Sequence, residues 1–529
     1  MSLMGEIVSR TEDNTLHQSR EFRLASKDWT WWKLFVSFFF LISAISLSTP
    51  LLTGPDEPSH TVKAAAVARG QFFGTVLPNT DPGHSKVGSP YIGVQLPSFF
   101  ASEVLSHADC ESFQDIYPAS CSPSWTTSPP GLKQASTYHG RYSPIYYFPV
   151  GLPSLVFPNQ FGLMLMRLVS AALCAVFLAS AILSGIELKK RKSAVLSILL
   201  GITPTALILF SDVSSVGLEI ATGLCLMASS CRLLVEPKSA TSRQIWRVAI
   251  SASVLCFMRG ASPVWAVIDI AIALLAFGNL GSIRNILTIK TAKLAVVFTI
   301  ISACTAIVWI LAAQTLDLPG YTPPGSHPLM PVFNHEITNS FAHLYQQIAV
   351  YGIITNPITC VIWLVAVAIF LLLIAPQIRI RPALIFVLFL VLIWFLPAPL
   401  DLTSYREFGG QWLGRYLLPI SSGLFVILGM GNKASSKKHM LDRKTVFKGA
   451  VAVVLLADIS FVYQILRAYV VGANSSVLFF LSPKWQPAIS LPISLILLAA
   501  SFVFLFLLST SSKFGITLEK NKDLSMSKI

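Results

Sequence analysis

Charge is scarce in this chain. Only 12% of its 529 residues are Asp, Glu, Lys or Arg, about half the ~25% of an ordinary soluble domain. Together with 53% hydrophobic residues and a mean hydropathy of +0.66, that scarcity excludes a soluble enzyme. Also missing are a phosphate-binding glycine loop, a nucleophile elbow and an aromatic-basic face for nucleic acid, which argues against an ATP-driven pump within this chain and against a nucleic-acid binder. No histidine or cysteine pair has metal-ligand spacing on a recognisable helix. Low-complexity segments and obvious internal repeats are absent as well.

What is present instead is a series of apolar runs of about 15 to 22 residues, the length that crosses ~30 Å of hydrocarbon as helix. The fold class expected is all-α: a polytopic helical membrane protein with about twelve spans. They fall near 35–52, 161–186, 193–210, 216–235, 246–260, 263–280, 293–313, 357–375, 383–400, 416–431, 447–470 and 488–509. The first follows a polar segment too long for a cleaved signal, so it reads as an uncleaved span. This divides the chain into a cytoplasmic N-terminal segment, 1–34, a polytopic membrane domain, 35–510, with an external loop at 53–159, and a cytoplasmic tail, 511–529.

The 39 Lys+Arg outnumber the 25 Asp+Glu, for a net +14, and their placement sets the topology. Lys189 to Lys192, Lys238 with Arg243, Arg284 with Lys290 and Lys293, Arg379 with Arg381, and Lys433 to Lys444 all fall in even-numbered loops. The positive-inside rule makes these cytoplasmic, with both termini inside. Of the 8 cysteines, six lie in or beside spans, where small apolar packing accounts for them. Cys110 and Cys121 alone lie in the large external loop, where two thiols in an oxidising compartment are expected to form a disulfide.

The sharpest local feature is Gly54-Pro55-Asp56-Glu57-Pro58-Ser59-His60, directly after the first span. Pro58 suits the first turn of a helix running to Arg69 and stopping at Gly70, and Asp56 or Glu57 can cap it. Both acids then sit at the positive end of a helix dipole, which favours their ionised forms. A carboxylate there can bind a divalent cation (Mg or Mn), orient an acceptor hydroxyl or take its proton; the plainer reading is a helix cap in a charged loop. His60 adds a third polar group or is merely solvated. Charges near spans are costly and so informative: Arg167, Glu219, Arg259 and Arg415 all map to the outer half of the membrane. Guanidinium forks there suit a substrate with an anionic head and a lipid tail; internal ion pairs are the competing account. The proline-rich run from Arg141 to Pro153 reads as lying along the outer membrane surface.

Three of these segments resemble a bacterial membrane-protein family catalogued as domain of unknown function 2142. They are Pro55 to His60, Tyr142 to Tyr147 leading into Met166-Arg167-Leu168, and Gly414-Arg415-Tyr416-Leu417-Leu418-Pro419. That family resembles the multi-spanning GT-C glycosyltransferases, in which an acid of the first external loop serves catalysis and the sugar donor is a polyprenyl-linked phosphate. The resemblance carries that role to Asp56 or Glu57 and to no other acid. It departs before Arg415: a Gln-Gly pair is expected, whereas Leu413 precedes Gly414 and Gln411 stands two further back, which puts a role for Gln411 in doubt.

The expectation is a glycosyltransferase of the bacterial cell membrane. It moves a sugar from a polyprenyl-phosphate donor to a cell-envelope glycan or glycolipid on the outer face, with the lipid bilayer and no nucleic acid as partner. Asp56 and Glu57 are the catalytic candidates and possible metal ligands; His60, Arg167, Glu219, Arg259, Arg415 and Tyr416 are the substrate-binding ones. The alternative is a transporter or flippase of a lipid-linked glycan. It fits the span count equally, but transporters are commonly built from two related halves with polar sites at the midplane, whereas the polar groups here gather at the outer edge.

Overall fold

The computed structural model describes residues 30–77, 92–108, 117–122, 124–125, 129–189, 191–316, 329–400, 412–431 and 440–511. The chain opens with α1 (Thr30–Ser48). A mixed segment follows, made of α2 (Glu57–Ala68), β1 (Thr75–Val76), β2 (Ile92–Pro97), α3 (Ser98–Ala108), β3 (Leu132–Thr137), α4 (Pro144–Gly151) and α5 (Pro153–Val156). Then come α6 (Gln160–Ile186), α7 (Arg191–Gly201), α8 (Pro204–Leu209), α9 (Ser215–Val235), α10 (Ser242–Cys256), α11 (Ser262–Phe277), α12 (Leu280–Leu287) and α13 (Lys290–Ala312). The remainder is α14 (Leu329–Ala349), α15 (Pro357–Ile374) and α16 (Ile380–Phe395), the broken apolar helix α17 (Gly414–Met430), α18 (Lys444–Val471) and α19 (Leu491–Thr510). The three strands β1, β2 and β3 form one antiparallel sheet, with Val76 opposite Ile92 and Ile92 opposite Thr137.

The protein is a polytopic helical membrane protein, and the described residues do not confirm twelve crossings. Among the described residues eight helices are long and apolar enough to span, or nine if α11 and α12, bent by 118°, make one crossing. The four expected spans that fall short are interrupted by identifiable chemistry. Pro204 has no N–H to continue α7, and the Thr203 hydroxyl accepts from the Ala206 N–H to start α8 afresh. Helix α10 stops at Cys256, and α11 begins at Ser262 with Pro263 in its first turn. The run at 416–431 begins as a 3-10 turn, Gly414–Leu417, and breaks again after Ser421. It nests against α9 where Gly223 leaves room: a Cβ there would lie 2.2 Å from the Pro419 carbonyl oxygen.

Helix α9 is the axis of the bundle, 94% buried, whereas α13 at the edge is only 11% buried. Helices α6 and α9 run parallel. Ser170, in the first half of α6, donates to the Asp212 carbonyl just ahead of α9, and Ser184 pairs with Ser229 near the close of both helices. Helix α10 returns antiparallel, so that Arg247 in its first half reaches Ser184 and Glu187. One end of the bundle therefore gathers the close of α1, the starts of α6, α9 and α11 and the close of α10. The basic residues Lys189, Arg191 and Arg243 lie at the other end, beside the close of α6 and α9 and the starts of α7 and α10.

Candidate active site

The two adjacent acids that follow α1 have separate fates. Glu57 is buried, and both its oxygens are spoken for. Oε1 accepts from Arg167 Nε at 2.6 Å and from the Val213 N–H at 3.1 Å; Oε2 accepts from Arg167 Nη2 at 2.6 Å and from the Gly54 N–H at 3.1 Å. Arg167 spends its other N–H groups on the carbonyls of Ser46, Thr49 and Pro50 and on the Thr49 hydroxyl. This clasp ties the end of α1 to the starts of α2, α6 and α9. With both partners 1% exposed and every charge-bearing atom bonded, neither side chain is available to a substrate.

Asp56 faces the other way. It sits at the N-cap position of α2 in left-handed backbone conformation (φ 63°), and its side chain does not cap the helix as expected. Asp is one of the few L-residues that tolerate that region, at a modest cost in strain. The turn is held from behind: a Cβ on Gly54 would lie 2.6 Å from Asp212 Cγ, and Asp212 accepts from the Tyr351 hydroxyl. The Asp56 carboxylate, 37% exposed, accepts from Arg415 Nη2 at 2.6 Å.

Arg415 is carried by the 3-10 turn at the start of α17, which α14 fixes. Gln346 Oε1 accepts from the Gly414 N–H at 2.5 Å, and Gly414 packs on the His343 carbonyl so closely that a Cβ would lie 2.1 Å from it. Two guanidinium groups lie over the Tyr416 ring, Arg259 at 4.4 Å and Arg415 at 5.5 Å from its centroid. Arg259 also hydrogen-bonds the Tyr142 hydroxyl, and Glu219 holds it from below at 3.7 Å while accepting from Ser262 Oγ. Nε of Arg415 is enclosed and has no partner among the described residues.

Beneath Asp56 lies a layer of buried imidazoles. His60 is not solvated: it hydrogen-bonds the Tyr147 hydroxyl at 2.7 Å and stacks on His139 at 3.7 Å, while His139 pairs with Ser59. Burial, with the nearby Arg259 and Arg415 adding to it, pushes His60 well below the ordinary histidine value. Burial takes His139 down to about 3, against the opposing pull of Asp56. Both are neutral at physiological pH. Lys63, one turn on, donates to the carbonyls of Phe72 and Gly140, and burial lowers it to about 7.

Of the residues singled out in the sequence, Asp56, Arg259, Arg415, Tyr416 and Glu219 come together. Glu57 and Arg167 form a separate, closed pair, and His60 lies underneath. Tyr142, His139 and Gln346 were missed. Tyr142 stood in the flagged aromatic run but read as interfacial, and His139 and Gln346 carry no local signal, since their neighbours come from distant elements. Cys121 is disulfide-bonded and the six cysteines in or near spans are free; Cys110, like Gln411, lies outside the described residues. As a metal site the acid pair does not fit, because all four donors around Glu57 occupy its lone pairs. Among the described residues no three His, Cys, Asp or Glu side chains gather as metal ligands.

Fold and site thus define a multi-pass helical membrane protein with a cluster of charged side chains at one end of its bundle. The family model described as "Predicted membrane protein (DUF2142)" matches residues 38–424, and the chain belongs to that family. No curated protein matches it. Among solved structures it is similar to ArnT from Cupriavidus metallidurans bound to undecaprenyl phosphate, at 13% identity and a TM-score of 0.38, over 92% of this chain and 77% of that one. The apo state of the same protein gives 13%, 0.38, 92% and 76%.

Proposed function

We propose that this protein is a glycosyltransferase of the bacterial cell membrane that moves a sugar from a polyprenyl-phosphate carrier to an envelope glycan or glycolipid on the outer face. The observation that carries the reading is the Asp56–Arg415 pair with Arg259 beside it. One partly exposed carboxylate and two guanidinium groups meet at a membrane boundary, in a chain otherwise poor in charge. The basic residues of α7 and α10 lie at the far end, and the positive-inside rule supports reading the charged cluster as outward-facing.

The chemistry follows from these groups. The acceptor hydroxyl gives its proton to Asp56 as its oxygen bonds to the anomeric carbon, and the bond from that carbon to the phosphate oxygen breaks. The leaving polyprenyl phosphate gains one negative charge, which Arg415 and Arg259 are placed to meet with bidentate hydrogen bonds. In the free protein Asp56 occupies Arg415. Arrival of the donor phosphate draws that guanidinium away and leaves the carboxylate free to act as base. Glu57 takes no part; its role is to hold the turn.

The test is complementation of a strain lacking the gene, with envelope glycans read by mass spectrometry. Asp56→Asn is expected to accumulate in the membrane but leave the glycan unmodified. Restoration of the wild-type glycan by Asp56→Asn overturns the assignment.

A further inference from the structure

Helices α4 and α5 present a face that stands exposed among the described residues. Ile145, Phe148, Leu152, Leu155 and Val156 are exposed at 41–69% and recur on one side at helical spacing, while Tyr146, Tyr147, Val150, Gly151 and Ser154 are buried on the other. From Pro144 to Val156 the pair rises about 20 Å, short of the ~30 Å of a bilayer core, so it cannot be a crossing. It is continuous through Asn159 with α6, a candidate span, and no charged residue occurs between Tyr142 and Met166. An apolar stripe at the mouth of a span meets lipid rather than water.

The buried side of the same pair is fastened to α2 at three levels. Tyr147 hydrogen-bonds His60 at 2.7 Å. Gly151 lies against Ala64, where a Cβ would come within 2.0 Å of the carbonyl oxygen. Ser154 accepts from Arg69 through its hydroxyl at 2.8 Å and its carbonyl at 2.7 Å. Positions 60, 64 and 69 thus match 147, 151 and 154 in rising order, so α2 runs parallel to α4 and α5. A helix packed parallel on one that lies in the membrane plane must itself lie flat, one interaxial distance of about 8–10 Å away.

We propose that α4 and α5 form an in-plane docking surface for the phospholipid of the adjacent leaflet, and that by carrying α2 they fix Asp56 at headgroup height. The docking half stands on exposure and continuity alone. The height half rests on Asp56 being the site of transfer, and it then restricts the substrate: the sugar-bearing group must lie within about 10 Å of the hydrocarbon boundary. A phosphate joined directly to a lipid meets that condition, and a soluble nucleotide sugar has no reason to.

Site-directed spin labelling tests both halves. In a Cys304→Ser, Cys360→Ser background reconstituted in phosphatidylethanolamine and phosphatidylglycerol vesicles, nitroxides are placed at Phe148→Cys, Leu152→Cys and Val156→Cys. Lys133→Cys on β3 serves as the water reference and Thr53→Cys as the height marker. The three face positions are expected to collide with oxygen several-fold more, relative to a water-soluble nickel chelate, than position 133. Nickel access equal to that at 133 places the face in water. Shielding from both quenchers places it under another protein or a second copy. Either result overturns the docking surface. Depth readings at position 53 should fall in the headgroup layer, and a label free in bulk water overturns the height claim. Because no turnover is read, failure of the transferase reading leaves these signals unchanged.

Discussion

Conversion of Glu57 to Gln should damage the protein far more than the isosteric change one residue earlier. All four groups that contact the Glu57 carboxylate are N–H donors. A glutamine amide turned either way points its NH2 at two of them, so two hydrogen bonds become donor-donor contacts. The Arg167 guanidinium, 1% exposed, would also lose its counter-charge, and breaking a buried pair from one side costs about 3–5 kcal/mol. Asp56→Asn differs on each count. The site is 37% exposed, a partly solvated pair is worth about 0–1 kcal/mol, and asparagine accepts the left-handed backbone as readily as aspartate. Thermal unfolding of the two variants in detergent, followed by intrinsic fluorescence, is expected to lower Tm markedly for Glu57→Gln and hardly at all for Asp56→Asn. Transfer should fall ~100-fold or more in Asp56→Asn, the scale of lost general-base catalysis. A stable Glu57→Gln protein, or an Asp56→Asn protein that unfolds like it, refutes the division of labour between the acids.

Other consequences are checked more briefly. Arg415→Lys and Arg259→Lys keep the charge but lose the fork; at about 1.5–3 kcal/mol per charge-assisted contact, donor turnover should drop about 10- to 100-fold with Tm nearly unchanged. Gly151→Ala drives a methyl into the Ala64 carbonyl and should cost about 1–3 kcal/mol, seen as a lower Tm and weaker membrane accumulation. Folding holds Lys63 neutral down to about pH 7, against 10.5 when free. The unfolded chain therefore binds the extra proton in that window, and stability rises with pH across it. His139 takes its proton only near pH 3 when folded, against 6.5 when free, so stability falls as pH falls below 6.5. Lys63→Met and His139→Phe should flatten the upper and lower slopes respectively in unfolding measured against pH.

Fold class was legible because long apolar runs and clustered Lys and Arg are local, and local patterns are what a sequence displays. Span number was less so: hydropathy averages across Pro204, the Ser262-Pro263 restart and the Gly414–Leu417 turn, each of which breaks a helix without lowering the mean. At the candidate site, Asp56, Arg259 and Arg415 stood out because charge in an apolar chain is conspicuous. Their pairing was not visible, since 359 residues separate Asp56 from Arg415. Adjacent carboxylates look equivalent in a sequence. Here a left-handed turn sends Asp56 outward and leaves Glu57 to Arg167, a partner on α6 that no spacing rule connects to it.

The most direct measurement is release of polyprenyl phosphate from a polyprenyl-phosphate sugar by the purified protein in proteoliposomes supplied with envelope glycan acceptor. Wild-type protein should release the carrier phosphate in step with labelling of the acceptor, and Asp56→Asn should do neither while keeping its Tm. Passage of the intact sugar-lipid across the bilayer without release, or equal release by Asp56→Asn, contradicts the account.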